Sequence, residues 1–216
     1  MKKDELLIPY YKNIKADERE LNILLEDCPV NHIDQVSWKK NYPYKPRVTF
    51  KIAYSDQAIA LKFEVNETHL RINTFQTNGR VWEDSCVEFF ISFQDSYYYN
   101  LEFNALGIGL IGYGTTERSL RKRLPDHLVG HVKSFSRINS SNDKKGVNWS
   151  LTLYIPLEVF NYETFQSFKG LGCSANFYKC GDLLPEPHYI SWSRISSPEP
   201  NFHLPEFFGN IKFDDK

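Results

Sequence analysis

The polar side chains with the most chemical potential in this chain stand among aromatic ones. Residues 79–93 read GRVWEDSCVEFFISF, with Trp82 and two acids, Glu83 and Asp84, ahead of a run in which Val87, Phe89, Ile91 and Phe93 alternate with Glu88, Phe90 and Ser92. A carboxylate buried without a partner is costly, so Glu88 has to open on a cleft or accept several hydrogen bonds. A few residues on, YYYNLEFNALG alternates again: Tyr97, Tyr99, Leu101 and Phe103 share one face, and Tyr98, Asn100, Glu102 and Asn104 the other. If the two runs pair, Glu88, Glu102 and Asn104 meet as two carboxylates and an amide, all good partners for vicinal hydroxyls. Trp82 adds a flat apolar plane. A pyranose ring offers both complements, C–H groups for an aromatic face and a rim of hydroxyls for planar polar groups.

The same two carboxylates support a rival reading, a glycoside hydrolase with Glu88 and Glu102 as acid and base, which requires a fixed separation between them. No nucleophile beside a base and no phosphate loop is written elsewhere. His188 and His203 flank the ISWS segment and are read as loop histidines, with ligand hydrogen bonding as the alternative. The charged stretch TTERSLRKRLPDH at 115–127 reads most simply as a solvated edge. Its sharper reading places Arg118, Arg121 and Arg123 at the rim of the cleft, where guanidinium forks suit an acidic sugar or a phosphorylated ligand. The four cysteines, Cys28, Cys86, Cys173 and Cys180, form no CxxC pair and read as reduced core residues.

These side chains need strands to hold them. Residues 47–65 alternate in two runs around Ser55-Asp56-Gln57, which is a hairpin pattern. The two functional runs turn at Gln94-Asp95-Ser96. Further strands are expected at 110–114, 129–137, 147–155, 173–180 and 210–213, with Trp149 and Trp192 in the core. Helix is sparse: one at 16–27 (ADERELNILLED) and a turn after Pro156. The expected fold is all-β, an antiparallel β-sandwich of jelly-roll or immunoglobulin-like type with few short helices. It forms one domain over 1–216, of which 1–37 is an N-terminal extension packing on the sandwich.

Composition narrows the partners. With 26 basic and 27 acidic side chains among 216 residues, the formal charge of -1 supplies no field to gather polyanions, so nucleic acid is not expected. No segment is apolar enough to span a bilayer, and MKKDELLIPYYKNIKADERE lacks the apolar run of a signal peptide. The chain as given reads as soluble and cytoplasmic; a secreted or periplasmic chain trimmed of its leader would look the same.

The order of W-E-D-S-C-V-E-F-F-I, Y-Y-N-L-E-F-N-A-L-G, I-P-L at 155–157, I-S-W-S and F-F-G-N-I-K-F resembles the family 9 carbohydrate-binding modules and their relatives in the wider DOMON-like group, from about residue 38 to the C-terminus. The resemblance implies a non-catalytic sandwich that binds a sugar or oligosaccharide in a slot between two aromatic rings, over acids and amides. By position it makes Trp82 one slot ring, Glu88 the buried acid and Asn104 the amide, with Phe202 where the family has tryptophan. Trp192 then matches a core tryptophan. The chain departs from the pattern at Phe202 and at Glu102, where well-known members carry arginine, which exchanges a donor fork for an acceptor. The ligand-binding set is thus Trp82, Glu88, Glu102, Asn104, Phe202 and His203. A ligand-less interaction domain is the alternative these departures leave. No cofactor is expected: the haem branch needs methionine and histidine ligands, and Met1 is the sole methionine. The family often holds structural calcium through loop acids, for which this chain has no D-x-D-x-D-G run.

Overall fold

A computed structural model describes residues 4–94, 96–140 and 146–215. Met1 and the Asp95 of the expected turn lie outside them. In chain order the elements are β1 (Glu5–Ile8), α1 (Glu18–Glu26), β2 (Asn31–His32), β3 (Arg47–Tyr54), β4 (Ala58–Glu67), β5 (Cys86–Gln94) and β6 (Tyr97–Asn104). There follow β7 (Gly109–Gly114), β8 (Lys122–Arg123), α2 (Asp126–Val129), β9 (Lys133–Ser140), β10 (Val147–Pro156), β11 (Gly172–Cys180), β12 (Tyr189–Ser191) and β13 (Gly209–Phe213).

Two sheets make a β-sandwich. The larger runs β1-β13-β11-β5-β6-β7-β8, with β12 also paired to β11, and the smaller runs β2-β3-β4-β10-β9. Among the described strands every pairing is antiparallel except β1 with β13, which run parallel near the two ends of the chain; an isolated parallel bridge also joins Tyr10 to Tyr54. Alternation explains the layering. The inward set of β5 and β6, Val87, Phe89, Ile91, Tyr99, Leu101 and Phe103, packs with Phe50, Phe63, Leu151 and Phe177 between the sheets. Each such buried side chain contributes about 1.5–3 kcal/mol. Trp149 is buried in this core, and the half-buried Trp192 packs against Phe50 and Phe177.

The outward set is also covered, and this is what shapes the functional face. Phe90 and Tyr98 on the far side of the larger sheet join Tyr178, Trp38, Phe202 and Phe208 in a second apolar layer under loops from both halves of the chain. On the far side of the smaller sheet α1 lays Leu21 and Leu25, one turn apart, against Ala53 and Ala60. Asp17 caps that helix by accepting from the Glu20 amide at 3.0 Å. Residues 1–37 therefore supply an edge strand to each sheet as well as α1. The strand expected at 129–137 begins only at Lys133, because Pro125 and Asp126 start the short helix α2, which closes at Gly130. No helix among the described residues is long and apolar enough to cross a membrane.

Candidate functional site

A cavity of about 460 Å³ opens on the outer face of the larger sheet, within the usual range of ligand sites. Its floor is β5 and β6. Glu88 and Glu102 are cross-strand partners, 3% and 5% exposed, so the two carboxyl groups rise side by side from neighbouring strands. Asn100 lies on the same face one pleat along β6 and donates to Glu102 Oε1 at 2.8 Å. β7 has to lie close here. A Cβ on Gly112 would stand 2.5 Å from Asn100 Oδ1, so only glycine leaves the amide its place.

Burial governs the charge of this floor. It pushes the Glu88 carboxyl well above its ordinary range, helped by Cys180 and by the Glu102 charge. Glu102 is raised to about 7 by the same desolvation, against the opposing pull of the Asn100 amide, Arg121 and Arg123. A carboxyl held toward its protonated form can donate a hydrogen bond as well as accept one. Asp182, just past β11, is raised to about 6 by burial, and its partner is the Tyr189 hydroxyl.

The aromatic side of the cavity comes from three segments. Trp82 sits in a one-turn helix, Val81–Glu83, immediately before β5, and is half-buried. Its carbonyl accepts from the Asp182 amide at 3.1 Å, which fixes the turn against the end of β11. Phe202 also lines the cavity, but it is 8% exposed and stacks flat on Tyr178 at 4.1 Å, so one ring face is already used. Tyr189, half-buried on β12, lines the cavity beside it. His203 lines it too, with Nδ1 2.9 Å from the Tyr98 hydroxyl. Desolvation, with Arg121 and Arg118 nearby, lowers its pKa to about 3, leaving a neutral ring.

Asn104 is the exception among the expected residues. It shares the face of Glu102, yet it is buried away from the cavity. Its amide nitrogen donates to Thr74 O and Asp84 Oδ2, and its oxygen accepts from the Leu106 and Ile108 amides. The amide thus holds the turn after β6 and the loop before β5, and Asn100 is the amide that reaches the cavity. Alternation could place both on one face; it could not say where the loops cross over β6. His188 is likewise elsewhere, fully buried against Lys179.

Sequence reasoning had set Arg118, Arg121 and Arg123 at the cleft only as its sharper option, and all three line the cavity together with Lys122. Arg121 is the best anchored, half-buried with its carbon Cζ 4.0 Å from the Tyr98 ring centre. It donates to the carbonyls of Gly114, Thr115 and Tyr98 and to Asn100 Oδ1. Asp182, Tyr189 and Asn201 carried no signal in the sequence, because loops bring them in. A second hollow of about 340 Å³ lies on the outer face of the smaller sheet around Glu64, Asn66 and Asn148, where Asn66 donates to Asn148 at 2.7 Å.

One grouping among the described residues could hold a metal ion: Cys86, Glu88 and Cys180, whose ligand atoms all lie within 4.8 Å of one another. Cys86 and Cys180 face each other across β5 and β11, and the Cys180 thiol donates to Glu88 Oε1 at 3.1 Å. Burial raises the Cys86 thiol to about 12, and the hydrogen bond with Cys86, then burial, raises Cys180 well above its ordinary value, so the donors present at neutral pH are thiols and not thiolates. All four cysteines are free.

Residues 19–213 match the sequence profile of carbohydrate-binding family 9. The chain belongs to that family. Family 9 is a group of non-catalytic carbohydrate-binding modules. Among solved structures, a candidate carbohydrate-binding protein from Bacteroides uniformis ATCC 8492 is 36% identical, with 98% of this chain and 99% of that one covered and a TM-score of 0.89. A family 9 module from Caldicellulosiruptor kristjanssonii in complex with glucose is 14% identical, with 99% and 97% covered and a TM-score of 0.61. The cellotriose complex of a family 9 module from the same organism gives the same identity and score, with 99% and 95% covered. At that identity the likeness to the two complexes is one of fold. Among curated proteins no sequence relative was found.

Proposed function

We propose that this family 9 chain is a non-catalytic carbohydrate-binding protein that holds a sugar or the end of an oligosaccharide in the cavity over β5 and β6. The observation that carries the reading is the meeting of one half-buried indole, Trp82, with two buried carboxyls, Glu88 and Glu102, in a single open cavity. In this reading the Trp82 ring lies on the C–H face of a pyranose, and Phe202 or Tyr189 closes the other side of an aromatic slot. Glu88, Glu102 and Asn100 take the ring hydroxyls, and the neutral His203 offers one further hydrogen bond. A floor with protonated and ionised carboxyls suits this work, because a sugar hydroxyl needs both a donor and an acceptor.

The glucose and cellotriose complexes of the Caldicellulosiruptor modules make those two sugars sensible first ligands. Calorimetric titration of the full chain with mono- and disaccharides is the test. Trp82→Ala is expected to abolish binding with little change in melting temperature. Unaltered binding with a large loss of stability would make Trp82 a packing residue and end the proposal.

A further inference from the structure

The segment 118–123 brings four cations to one wall of the cavity, and their surroundings differ from those of other basic side chains here. Arg71, Arg80 and Arg137 each meet an acid, at 3.5, 3.0 and 2.5 Å from Asp84, Glu83 and Glu18. Arg118, Arg121, Lys122 and Arg123 meet none among the described residues. Arg121 is held by three carbonyls and the Asn100 amide oxygen, so its charge is fixed in place without being neutralised. Arg118 uses one nitrogen on Asn201 Oδ1 at 2.8 Å, and Arg123 one nitrogen on the Asn78 carbonyl, which leaves most of each fork free. Arg123 also stands 6.0 Å from the Trp82 ring centre, close enough to serve a ligand lying on that ring.

The groups that face these cations offset them only in part. Burial holds Glu88 toward its neutral form and raises Glu102 to about 7, so that it is partly ionised at neutral pH, while Asp182, raised to about 6, stays mostly ionised and is one carboxylate against four cations. His203 and Cys180 are uncharged at neutral pH, and the Tyr189 hydroxyl is raised by burial. A neutral pyranose can accept hydrogen bonds from this wall but does not balance its charge, whereas an oxyanion does both: it is recognised by guanidinium forks and drawn by the summed field.

We infer that the ligand of this site is an anionic sugar, a pyranose bearing a carboxylate, sulfate or phosphate, with Arg118, Lys122 and Arg123 holding the anion while the ring lies on Trp82. The inference rests on the carbohydrate-binding reading above and adds the charge class. It is tested by titrating the full chain with glucose and galactose, their uronic acids, their 6-sulfates and 6-phosphates, and inorganic sulfate and phosphate alone, at neutral pH in low and high salt. At least one charged sugar is expected to bind about tenfold or more tightly than its neutral parent in low salt. The advantage should shrink in high salt and fall toward unity in an Arg118→Ala/Lys122→Ala variant, whose exposed substitutions leave the fold intact. The charged group of the tightest ligand identifies the substituent. Neutral sugars binding as well as every charged one would overturn the inference and leave the carbohydrate reading standing. Inorganic anions binding as tightly as the charged sugars would overturn it as a mere anion patch. Failure of every sugar to bind would overturn both.

Discussion

Two buried carboxylates of this protein live in opposite circumstances. Glu67, at the end of β4, accepts from the Trp149 indole at 2.6 Å and pairs with the fully buried Lys179 at 2.9 Å. Lys179 donates in addition to Cys180 O and to His188 Nε2, both at 2.8 Å. Because lysine only donates and the Glu186 carbonyl only accepts, His188 must carry its proton on Nδ1, 2.9 Å from that carbonyl. Desolvation and the Lys179 charge lower its pKa to about 3, so it stays neutral. Every member of that cluster faces another. Among the described residues Glu88 pairs with no such cation. Its near neighbours are a thiol and a second carboxyl, and its free side is the cavity. A charge enclosed by partners ties the ends of β4, β10 and β11 together, while a carboxyl left short of partners is available to a ligand.

Breaking the closed cluster should have the largest effect. Lys179→Met strands a buried carboxylate and is expected to cost about 3–5 kcal/mol, read as a loss of about 10 °C in melting temperature. Adding Glu67→Leu to that variant should recover part of it. A Lys179→Met protein that melts like the parent would erase the contrast between the two regions.

On the open side the effect should fall on binding and hardly on folding. Trp82→Ala is expected to weaken sugar binding at least about tenfold, since the ring supplies the stacking surface, with a melting temperature within a few degrees of the parent.

A smaller effect sharpens the electrostatic half of the comparison. The Glu102 carboxyl titrates at about 7 in the folded protein against an ordinary 4.5. Its contribution to stability is therefore complete below the lower value and lost as pH rises through the upper one. Glu102→Gln, which mimics the protonated form, should raise the melting temperature at pH 8 by several degrees and change it much less at pH 5. Equal shifts at both values would mean that the carboxyl is not held toward its neutral form.

The sequence made strands legible wherever one side chain in two is apolar, as in β3, β4, β5, β6 and β10. That Glu88 and Glu102 each point away from the core follows from that alternation; their direct pairing also needs the register shift between Ile91 and Gln94. Family likeness added Phe202 and gave Trp82, already conspicuous beside the acids, its expected place as a slot ring. What stayed hidden depends on contacts far apart in the chain. β1 has only four residues, and its pairing with β13 joins the two ends of the molecule. The Glu67 cluster gathers residues 67, 149, 179 and 188, none of which announces the others. Asn104 and Asn100 are equivalent by periodicity, and only the loops folded over the end of β6 separate a structural amide from one that lines the cavity. The arginines at 118–123 read first as a solvated edge, since nothing local says that β8 returns to β7.

The most direct test of the open cavity as the binding site is a crystal structure of the full chain soaked in a mixture of neutral and acidic mono- and disaccharides. A sugar ring should lie on the Trp82 indole with a hydroxyl about 2.6–3.2 Å from Glu88 or Glu102. A sugar ordered instead on the polar hollow around Asn66 and Asn148, with the cavity over β5 and β6 left to solvent, would contradict the account.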